Sequence, residues 1–194
     1  MTRIIAGYAG SLTIAVPSSG TRPTSDRLRE AIFSALEARA AIEGARVLDL
    51  YAGTGALGLE SASRGAPHVT LVEKNPRAAD ACRTNATLIA AKAPRGSKPI
   101  ILTAARAVHT FLETSGDQWD LVFIDPPYEL GNDELIVALT LLAPQLSPDA
   151  LVVVERGSRD PEPAWPAGLE LHRRKDYGDT SLYWVQPAAP SHPA

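Results

Sequence analysis

The chain has 194 residues, which is enough for one domain with a small appendage. Hydrophobic residues make up 45% of it and charged residues 21%, which excludes a disordered chain, a coiled coil and a collagen-like repeat. The net charge of −3 gives no general attraction to nucleic acid, so any such contact must be local. One cysteine and four histidines argue against a disulfide framework and a metal site. With no apolar signal core and no apolar run of about 18 residues, we expect a cytoplasmic protein without a membrane partner.

The first 24 residues predict a small N-terminal extension and a linker. Apolar runs at 4–6 and 12–16 are separated by glycines, a pattern typical of a β-hairpin, and a loop rich in proline, glycine and serine follows. A helix is predicted from there, with Ser25 or Asp26 as its N-cap. We expect the main domain over residues 25–186 and a disordered tail over 187–194.

From residue 46 onward, the pattern alternates between strands and helices. The predicted strands lie at 47–50, 69–73, 100–102, 121–124 and 151–154, and a closing antiparallel pair lies around 169–171 and 182–185. The predicted helices lie at 55–64, 76–91 and 107–112, and a further helix is capped by Asn132. The alternation predicts an α/β fold, a seven-stranded, mostly parallel sheet with helices on both faces.

A glycine-rich turn from Asp49 to Gly58 joins the first of these strands to its helix. Gly53 and Gly55 permit a tight turn and the close approach of a ligand, and Gly58 permits close packing of the helix on the strand. The G-x-G-x-x-G pattern alone is weak evidence for a nucleotide-binding site, because the glycines of such a turn can serve packing only. Glu73 ends the second strand, about 20 residues later, where a carboxylate can accept both hydroxyls of a ribose. Its presence favours a nucleoside ligand.

Two ligands compete for this turn, a dinucleotide and S-adenosyl-L-methionine. A pyrophosphate requires a helix N-terminus with no anion nearby. Asp49 lies four residues before Gly53, so its carboxylate would repel a pyrophosphate, whereas it can accept a hydrogen bond from the amino group of a methionine moiety. The sequence therefore favours S-adenosyl-L-methionine.

The second candidate site is Asp125-Pro126-Pro127-Tyr128, which follows the fourth strand. The Asp125 carboxylate and the Pro126 carbonyl can accept both N–H bonds of an exocyclic base amine, so that its lone pair faces the methyl sulfonium. The two prolines fix the backbone, and Tyr128 can stack on a flipped-out base. A strand ended by a Pro-Pro turn is the structural alternative. The order of glycine turn, Glu73 and Asp125 favours methyl transfer to nitrogen over that alternative.

These motifs resemble those of class I S-adenosylmethionine-dependent N-methyltransferases, which have a Rossmann-like fold. The segments 3–7, 21–33 and 177–180 are similar to one narrower family, RsmD, the 16S rRNA guanine-N2 methyltransferases. The resemblance implies that the guanine is held by Asp125, Pro126, Pro127 and Tyr128 as catalytic residues. It implies that the cofactor is bound by Asp49, Tyr51, Gly53, Thr54, Gly55, Glu73, Lys74, Asn75, Arg106 and Ala107. The expected product is S-adenosyl-L-homocysteine, and the expected partner is 16S rRNA within the 30S particle.

Two basic clusters are candidates for contact with RNA phosphates. The first comprises Arg3, Arg22, Arg27 and Arg29, close to the glycine turn. Arg22 lies between Thr21 and Pro23 in a loop without a helical partner, which favours a phosphate contact. The second, at 173–175, is equally compatible with a solvated strand face. We expect the protein to act as a monomer.

Three other functions are compatible with parts of the pattern. An adenine-N6 methyltransferase acting on DNA or RNA would share the Asp-Pro-Pro-Tyr motif, but the DNA enzymes usually need an added target-recognition region, for which there is no room between Tyr128 and the predicted closing hairpin. A protein glutamine methyltransferase more typically has Asn where Asp125 stands. An RNA-binding module without activity would be distinguished by its failure to bind S-adenosyl-L-methionine in calorimetry.

Overall fold

The computed structural model describes residues 2–16 and 25–189. The strands are β1 Thr2–Arg3, β2 Thr13–Ile14, β3 Arg46–Leu50, β4 His68–Val72, β5 Ile100–Ala104, β6 Trp119–Ile124, β7 Leu146–Gly157, β8 Leu169–Tyr177 and β9 Thr180–Pro187. The helices are α1 Asp26–Glu37, α2 Ala56–Ser63, α3 Pro76–Lys92, α4 Val108–Thr114 and α5 Asn132–Leu142. None of the helices in the described ranges is long and apolar enough to cross a membrane.

Seven strands form one sheet in the order β5-β4-β3-β6-β7-β9-β8. The first five are parallel, and β9 pairs antiparallel with both β7 and β8. Helices α1, α2 and α3 pack on one face and α4 and α5 on the other, so the inner strands bury both of their faces, whereas the edge strands β5 and β8 are largely exposed. The predicted mostly parallel sheet with helices on both faces is confirmed.

The strand order reverses at β3, because β4 and β5 lie on one side of it and β6 and β7 on the other. Leu50, the last residue of β3, pairs with Val72 of β4 and with Ile124 of β6. The residues that follow these strands therefore meet at one edge, and in open α/β sheets ligands bind at this position. Glu73 and Asp125 thus come from different strands to the same edge, as the sequence predicted.

The N-terminal extension is part of the main core. Ile4 and Ile14 are fully buried in the same hydrophobic cluster as Phe33 of α1 and Leu59 of α2. The predicted hairpin is confirmed: its two strands have two residues each and pair antiparallel. The pairing continues beyond them, with Ile4 N–H donating to the Leu12 carbonyl at 2.9 Å and Ser11 N–H donating to the Ile4 carbonyl at 2.8 Å. The extension therefore shares the core of the main domain.

Polar contacts fix this extension to α2. The buried Glu60 carboxylate accepts the backbone N–H of Ile5 at 2.6 Å and that of Ala6 at 2.9 Å. Ser63 Oγ accepts Ala9 N–H at 3.0 Å and donates to the Ala6 carbonyl at 2.6 Å. These bonds satisfy a backbone that the short strands leave unpaired.

Two details differ from the sequence prediction. Ser25 caps α1 as expected, accepting from Leu28 N–H, but Asn132 is the first residue of α5 and its cap is Gly131. Asn132 instead donates to the Pro161 carbonyl at 3.2 Å. The predicted tail begins too early, because Pro187 ends β9 and Ala188 N–H donates to the Gly168 carbonyl at 2.9 Å. Residues 190–194, and the predicted linker at 17–24, lie outside the described residues.

Candidate active site

A cleft of about 610 Å³ opens at the carboxyl edge of β3, β4, β6 and β7. Its volume lies in the range of small-molecule and cofactor sites. The cleft is lined by the predicted residues Asp49, Tyr51, Gly53, Thr54, Glu73, Lys74, Asn75, Asp125, Pro126, Pro127 and Tyr128. The fold therefore brings both predicted motifs into one site.

The glycine-rich turn adopts a left-handed backbone at three places. Tyr51 has φ +61°, Gly53 +57° and Gly55 +81°. A Cβ at Gly55 would lie 2.9 Å from Leu71 Cδ1, and Gly55 does not line the cleft. Gly55 therefore serves the turn and the packing, while Gly53 lies against the space for a ligand.

Glu73 is held at the rim of the cleft by two backbone donors. Its Oε2 accepts Gly53 N–H at 2.9 Å, and its Oε1 accepts Asn75 N–H at 2.7 Å. The Asn75 side chain in turn caps α3 by accepting from Arg77 N–H and Ala78 N–H. Each carboxylate oxygen retains acceptor capacity, so this fixed group fits a diol such as that of a ribose.

Asp49 lies deeper in the cleft and is almost fully buried. Its Oδ2 accepts Gly58 N–H at 2.9 Å. Burial raises the pKa of the Asp49 carboxyl to about 7; the Gly58 bond opposes this, and the charges of Asp125 and Glu73 add to it. A cationic ligand group beside Asp49 would favour its ionised form, which fits the ammonium of a methionine moiety.

Gly58 lies on α2, where the sequence predicted close packing of this helix on a strand. A Cβ there would lie 2.4 Å from Leu71 Cδ2 and 3.0 Å from Val69 Cγ1. Any larger residue would push α2 away from β4. The predicted close packing of helix on strand is confirmed.

The Asp-Pro-Pro-Tyr turn forms the mouth of the cleft. Asp125 and Pro126 are half-buried, whereas Tyr128 is 66% exposed. Leu130 N–H donates to the Pro127 carbonyl at 3.0 Å and the Leu130 side chain is buried, which anchors the turn. An exposed aromatic ring beside acceptors near the sheet edge fits a base that enters from outside.

Some predicted residues lie elsewhere. Arg106 and Ala107 do not line the cleft; Val108, the next residue, does. Arg29 is fully buried and donates to the Arg3 carbonyl and to Asp26, each at 2.7 Å. The predicted phosphate contact of Arg29 is therefore wrong, because Arg29 lies on the face of α1 that packs in the core.

The other members of the first basic cluster remain candidates. The side chain of Arg3 is 63% exposed, although it lies 3.7 Å from Asp26, and Arg27 is exposed. Arg22 lies outside the described residues. In the second cluster, Arg174 forms an ion pair with Asp176 at 3.0 Å and packs over the Tyr183 ring.

Sequence reasoning missed two groups that line the cleft. The first comes from the end of β7 and the loop after it: Glu155, Arg156, Gly157 and Asp160. The second is the turn between β8 and β9, with Tyr177, Asp179 and Thr180. For the second group, the similarity of segment 177–180 to the RsmD family was the available signal, whereas the first group ends a buried strand that carries no motif. In the described ranges, no group of three or more His, Cys, Asp or Glu residues could hold a metal ion.

The strand order, the glycine turn and the cleft at the switch point define the class I methyltransferase fold. A family model described as Conserved hypothetical protein 95 matches residues 2–186. Over 188 residues, the chain is 35% identical to Ribosomal RNA small subunit methyltransferase D of Escherichia coli strain K12, covering 96% of this chain and 90% of that protein. The chain belongs to this family, RsmD, as the sequence motifs predicted.

Solved structures agree with this assignment. That of yhhF from Escherichia coli gives a TM-score of 0.81 at 32% identity, covering 96% of this chain and 98% of that one. Magnesium protoporphyrin IX methyltransferase from Synechocystis PCC 6803, solved with bound SAM, gives a TM-score of 0.64 at 14% identity, with 87% of each chain covered. This second likeness shows a shared fold alone.

Proposed function

We propose that this protein transfers the methyl group of S-adenosyl-L-methionine to the exocyclic N2 amine of a guanine in 16S rRNA, in the assembled or assembling 30S particle. The observation behind the proposal is that one cleft combines Glu73, Asp49 and Asp125, from three neighbouring strands, in a chain of the RsmD family. The likeness to Ribosomal RNA small subunit methyltransferase D supports the choice of substrate.

The cofactor occupies the half of the cleft formed by β3 and β4. Glu73 accepts the ribose hydroxyls, and Asp49 accepts from the ammonium of the methionine moiety. Gly53 and Thr54 line the space between them, and Tyr51, Lys74 and Asn75 complete the wall. Gly53 cannot be replaced without strain because its φ is +57°.

The target amine lies beside Asp125. Its two N–H groups donate to the Asp125 carboxylate and to the Pro126 carbonyl, and Tyr128 stacks on the base. The nitrogen lone pair forms the new N–C bond while the S–C bond breaks, and the sulfonium becomes the thioether of S-adenosyl-L-homocysteine. The proton lost from nitrogen passes toward Asp125 or solvent.

The RNA is held by local positive charge, because the chain as a whole carries −3. Arg3 and Arg27 are exposed on β1 and α1, the elements that also bring Thr2, Ser25 and Leu28 to the cleft. A phosphate contact there would position the strand whose base enters the site. We propose that the protein acts as a monomer on the particle.

The test is methylation of 30S subunits isolated from a strain that lacks this gene, followed by mass analysis of the nucleosides. We expect one N2-methylguanosine per subunit, and less product from naked 16S rRNA. Formation of N6-methyladenosine would establish the adenine alternative. If the protein binds S-adenosyl-L-methionine but methylates neither base, the proposed substrate is wrong.

A further inference from the structure

Two consecutive arginines on the edge strand β8 lie on opposite faces of the sheet. Arg173 pairs with Trp184 of β9, and Arg174 pairs with Tyr183. Trp184 belongs to the hydrophobic cluster beneath α1, whereas Tyr183 belongs to the cluster on the other face. Residues directly opposite each other in an antiparallel ladder share a face, so Arg173 lies on the α1 side and Arg174 on the side of α4 and α5.

The α1 side of β8 forms a basic face, which we define by Arg39, Arg173 and Lys175. Lys175 also pairs with a residue of the cluster beneath α1, so it lies on the same side as Arg173. Arg39 follows α1, and its guanidinium lies 5.9 Å from the centroid of the Trp184 ring. Arg39 Nη2 also donates to His172 Nε2 at 2.8 Å, which holds the guanidinium over β8 and β9. Exposed cations from two elements thus share one face.

The positive charge of this basic face is not neutralised by the protein. Within residues 2–16 and 25–189, none of its three side chains has a carboxylate within 4.0 Å. Arg174, by contrast, lies 3.0 Å from Asp176 and 3.8 Å from Glu162. In a chain with a net charge of −3, such a face is a local attraction for an anion.

The basic face leads into the cleft. Tyr177, the last residue of β8, is half-buried against the cluster beneath α1 and lines the cleft. Lys175 Nζ lies 4.7 Å from the centroid of the Tyr177 ring. Alternate residues of a strand are about 6.6 Å apart, which is close to the spacing of successive phosphates in an extended RNA strand. Arg173 and Lys175 can therefore hold neighbouring phosphates of a strand whose next nucleotide reaches Tyr177.

We propose that the basic face binds the backbone phosphates of the RNA strand that flanks the target guanine, and that β8 guides this strand to the cleft. The proposal rests on the proposed function, which makes this RNA the substrate. It adds a contact separate from Arg3 and Arg27. Phosphate contacts fix position and carry no base specificity, so Arg173 and Lys175 act in binding and Asp125 acts on the amine.

The first test measures the Kd for 30S subunits, isolated from a strain that lacks this gene, over a range of salt concentrations. We expect Arg173→Ala and Lys175→Ala each to raise the Kd by up to about tenfold and to reduce the slope of log affinity against log salt by about one. The double variant should reduce the slope by about two. The Tm and the Kd for S-adenosyl-L-methionine should not change, which separates this role from a structural one.

Arg174→Ala is the matched control, because it removes the same side chain one residue away on the other face of β8. It should keep the salt slope of the unaltered protein. If Arg173→Ala also keeps that slope, or if both variants reduce it equally, the basic face does not bind the strand and the inference is wrong.

The same titration on protein-free 16S rRNA distinguishes an RNA contact from a contact with a ribosomal protein. We expect Arg173→Ala to reduce the salt slope there as well. An effect seen with 30S subunits and absent with the protein-free rRNA would mean that the face docks on a ribosomal protein, which would overturn the inference.

Crosslinking tests the path of the strand. The single native cysteine, Cys82, is buried, so a photoreactive label on Arg173→Cys attaches at the introduced thiol. We expect crosslinks to nucleotides beside the methylated guanosine, and none there from Arg174→Cys. Crosslinks only to distant rRNA segments would contradict the guiding role. Failure of the proposed function would appear separately, as an unaltered protein that forms no N2-methylguanosine, and that measurement comes first.

Discussion

Asp49 is a residue whose ionisation is strongly controlled by its surroundings. Burial raises its pKa to about 7, from an ordinary value of 3.8. The folded protein therefore holds a proton that the unfolded chain has released. The contribution of Asp49 to stability is full below about pH 4 and is lost as pH rises through about 7.

This pKa predicts a pH-dependent affinity for S-adenosyl-L-methionine. The ligand ammonium requires the Asp49 carboxylate, which is mostly protonated in the free protein below pH 7. We expect the Kd, measured by calorimetry between pH 5.5 and 7.5, to rise up to about tenfold for each unit that pH falls below 7. Asp49→Asn, which can still accept Gly58 N–H, should bind more weakly at pH 7.5 and lose this dependence. A parallel pH slope in both proteins would exclude Asp49 as the ammonium acceptor.

Asp125 is predicted to act on the methyl acceptor and not on the cofactor. We expect Asp125→Ala to lower the methyl-transfer rate by about 10²–10³, the usual cost of one positioned group, with the Kd for S-adenosyl-L-methionine nearly unchanged. Single-turnover kinetics on 30S subunits and calorimetry measure the two quantities separately.

Asp149→Ala makes the same charge change at an exposed position before the parallel part of β7, at the opposite edge of the sheet. It should retain the full rate. Loss of cofactor affinity together with activity in Asp125→Ala would show that Asp125 supports the turn instead.

At the scale of the elements, the contacts between the N-terminal extension and α2 determine how a truncation affects the stability of the fold. Removal of residues 1–20 would destabilise the fold, because Ile4 and Ile14 would leave the core and Glu60 would lose its two backbone donors.

Glu60 is the more direct test of this contact. Its buried carboxylate is shared by two backbone N–H groups and by Arg64 Nε at 2.7 Å. Removing one partner of a buried ionic network typically costs 3–5 kcal/mol, so we expect Glu60→Ala to lower the free energy of unfolding by about that amount. Urea unfolding measures it, and the exposed Glu43→Ala should stay within about 0.5 kcal/mol of the unaltered protein. An equally small effect at Glu60 would mean that the extension is held by its apolar residues alone.

At the scale of the whole molecule, the negative net charge makes each exposed arginine near the cleft important for RNA binding. Arg27 and Arg29 lie two positions apart on α1, but the first is exposed and the second is fully buried. We expect Arg27→Ala to raise the KM for 30S subunits and to reduce the slope of log affinity against log salt by about one, with an unchanged Tm.

Arg29→Ala is the matched comparison, with the same chemical change on the same helix. It removes the bonds to the Arg3 carbonyl and to Asp26, so we expect a loss of stability of about 1.5–3 kcal/mol and an unchanged salt slope. If Arg27→Ala leaves the salt slope intact, the phosphate contacts lie elsewhere, and Arg173 is the next exposed candidate.

Much of the fold follows from local patterns. The βα alternation predicts the sheet, because buried parallel strands are short apolar runs and helices begin at recognisable caps such as Ser25 and Asn75. The meeting of the two motifs of the cleft, with Asp49 and Asp125, could also be predicted from the sequence, since the carboxyl ends of parallel strands must share one edge.

Other features needed the tertiary structure because they depend on contacts between distant segments. Whether Arg29 or Arg27 faces the core is decided by what packs on α1, and the role of the extension is decided by Glu60, more than 50 residues away. Glu155 and Arg156 lie near the end of a strand with no motif, and only the register of β7 against β6 places them in the cleft. The sequence by itself thus determined the class of fold, the cofactor turn and the acceptor turn, through patterns within about 25 residues. The burial of each charge and the full lining of the site were decided by packing, because side-chain environment is a property of the assembled sheet and its helices.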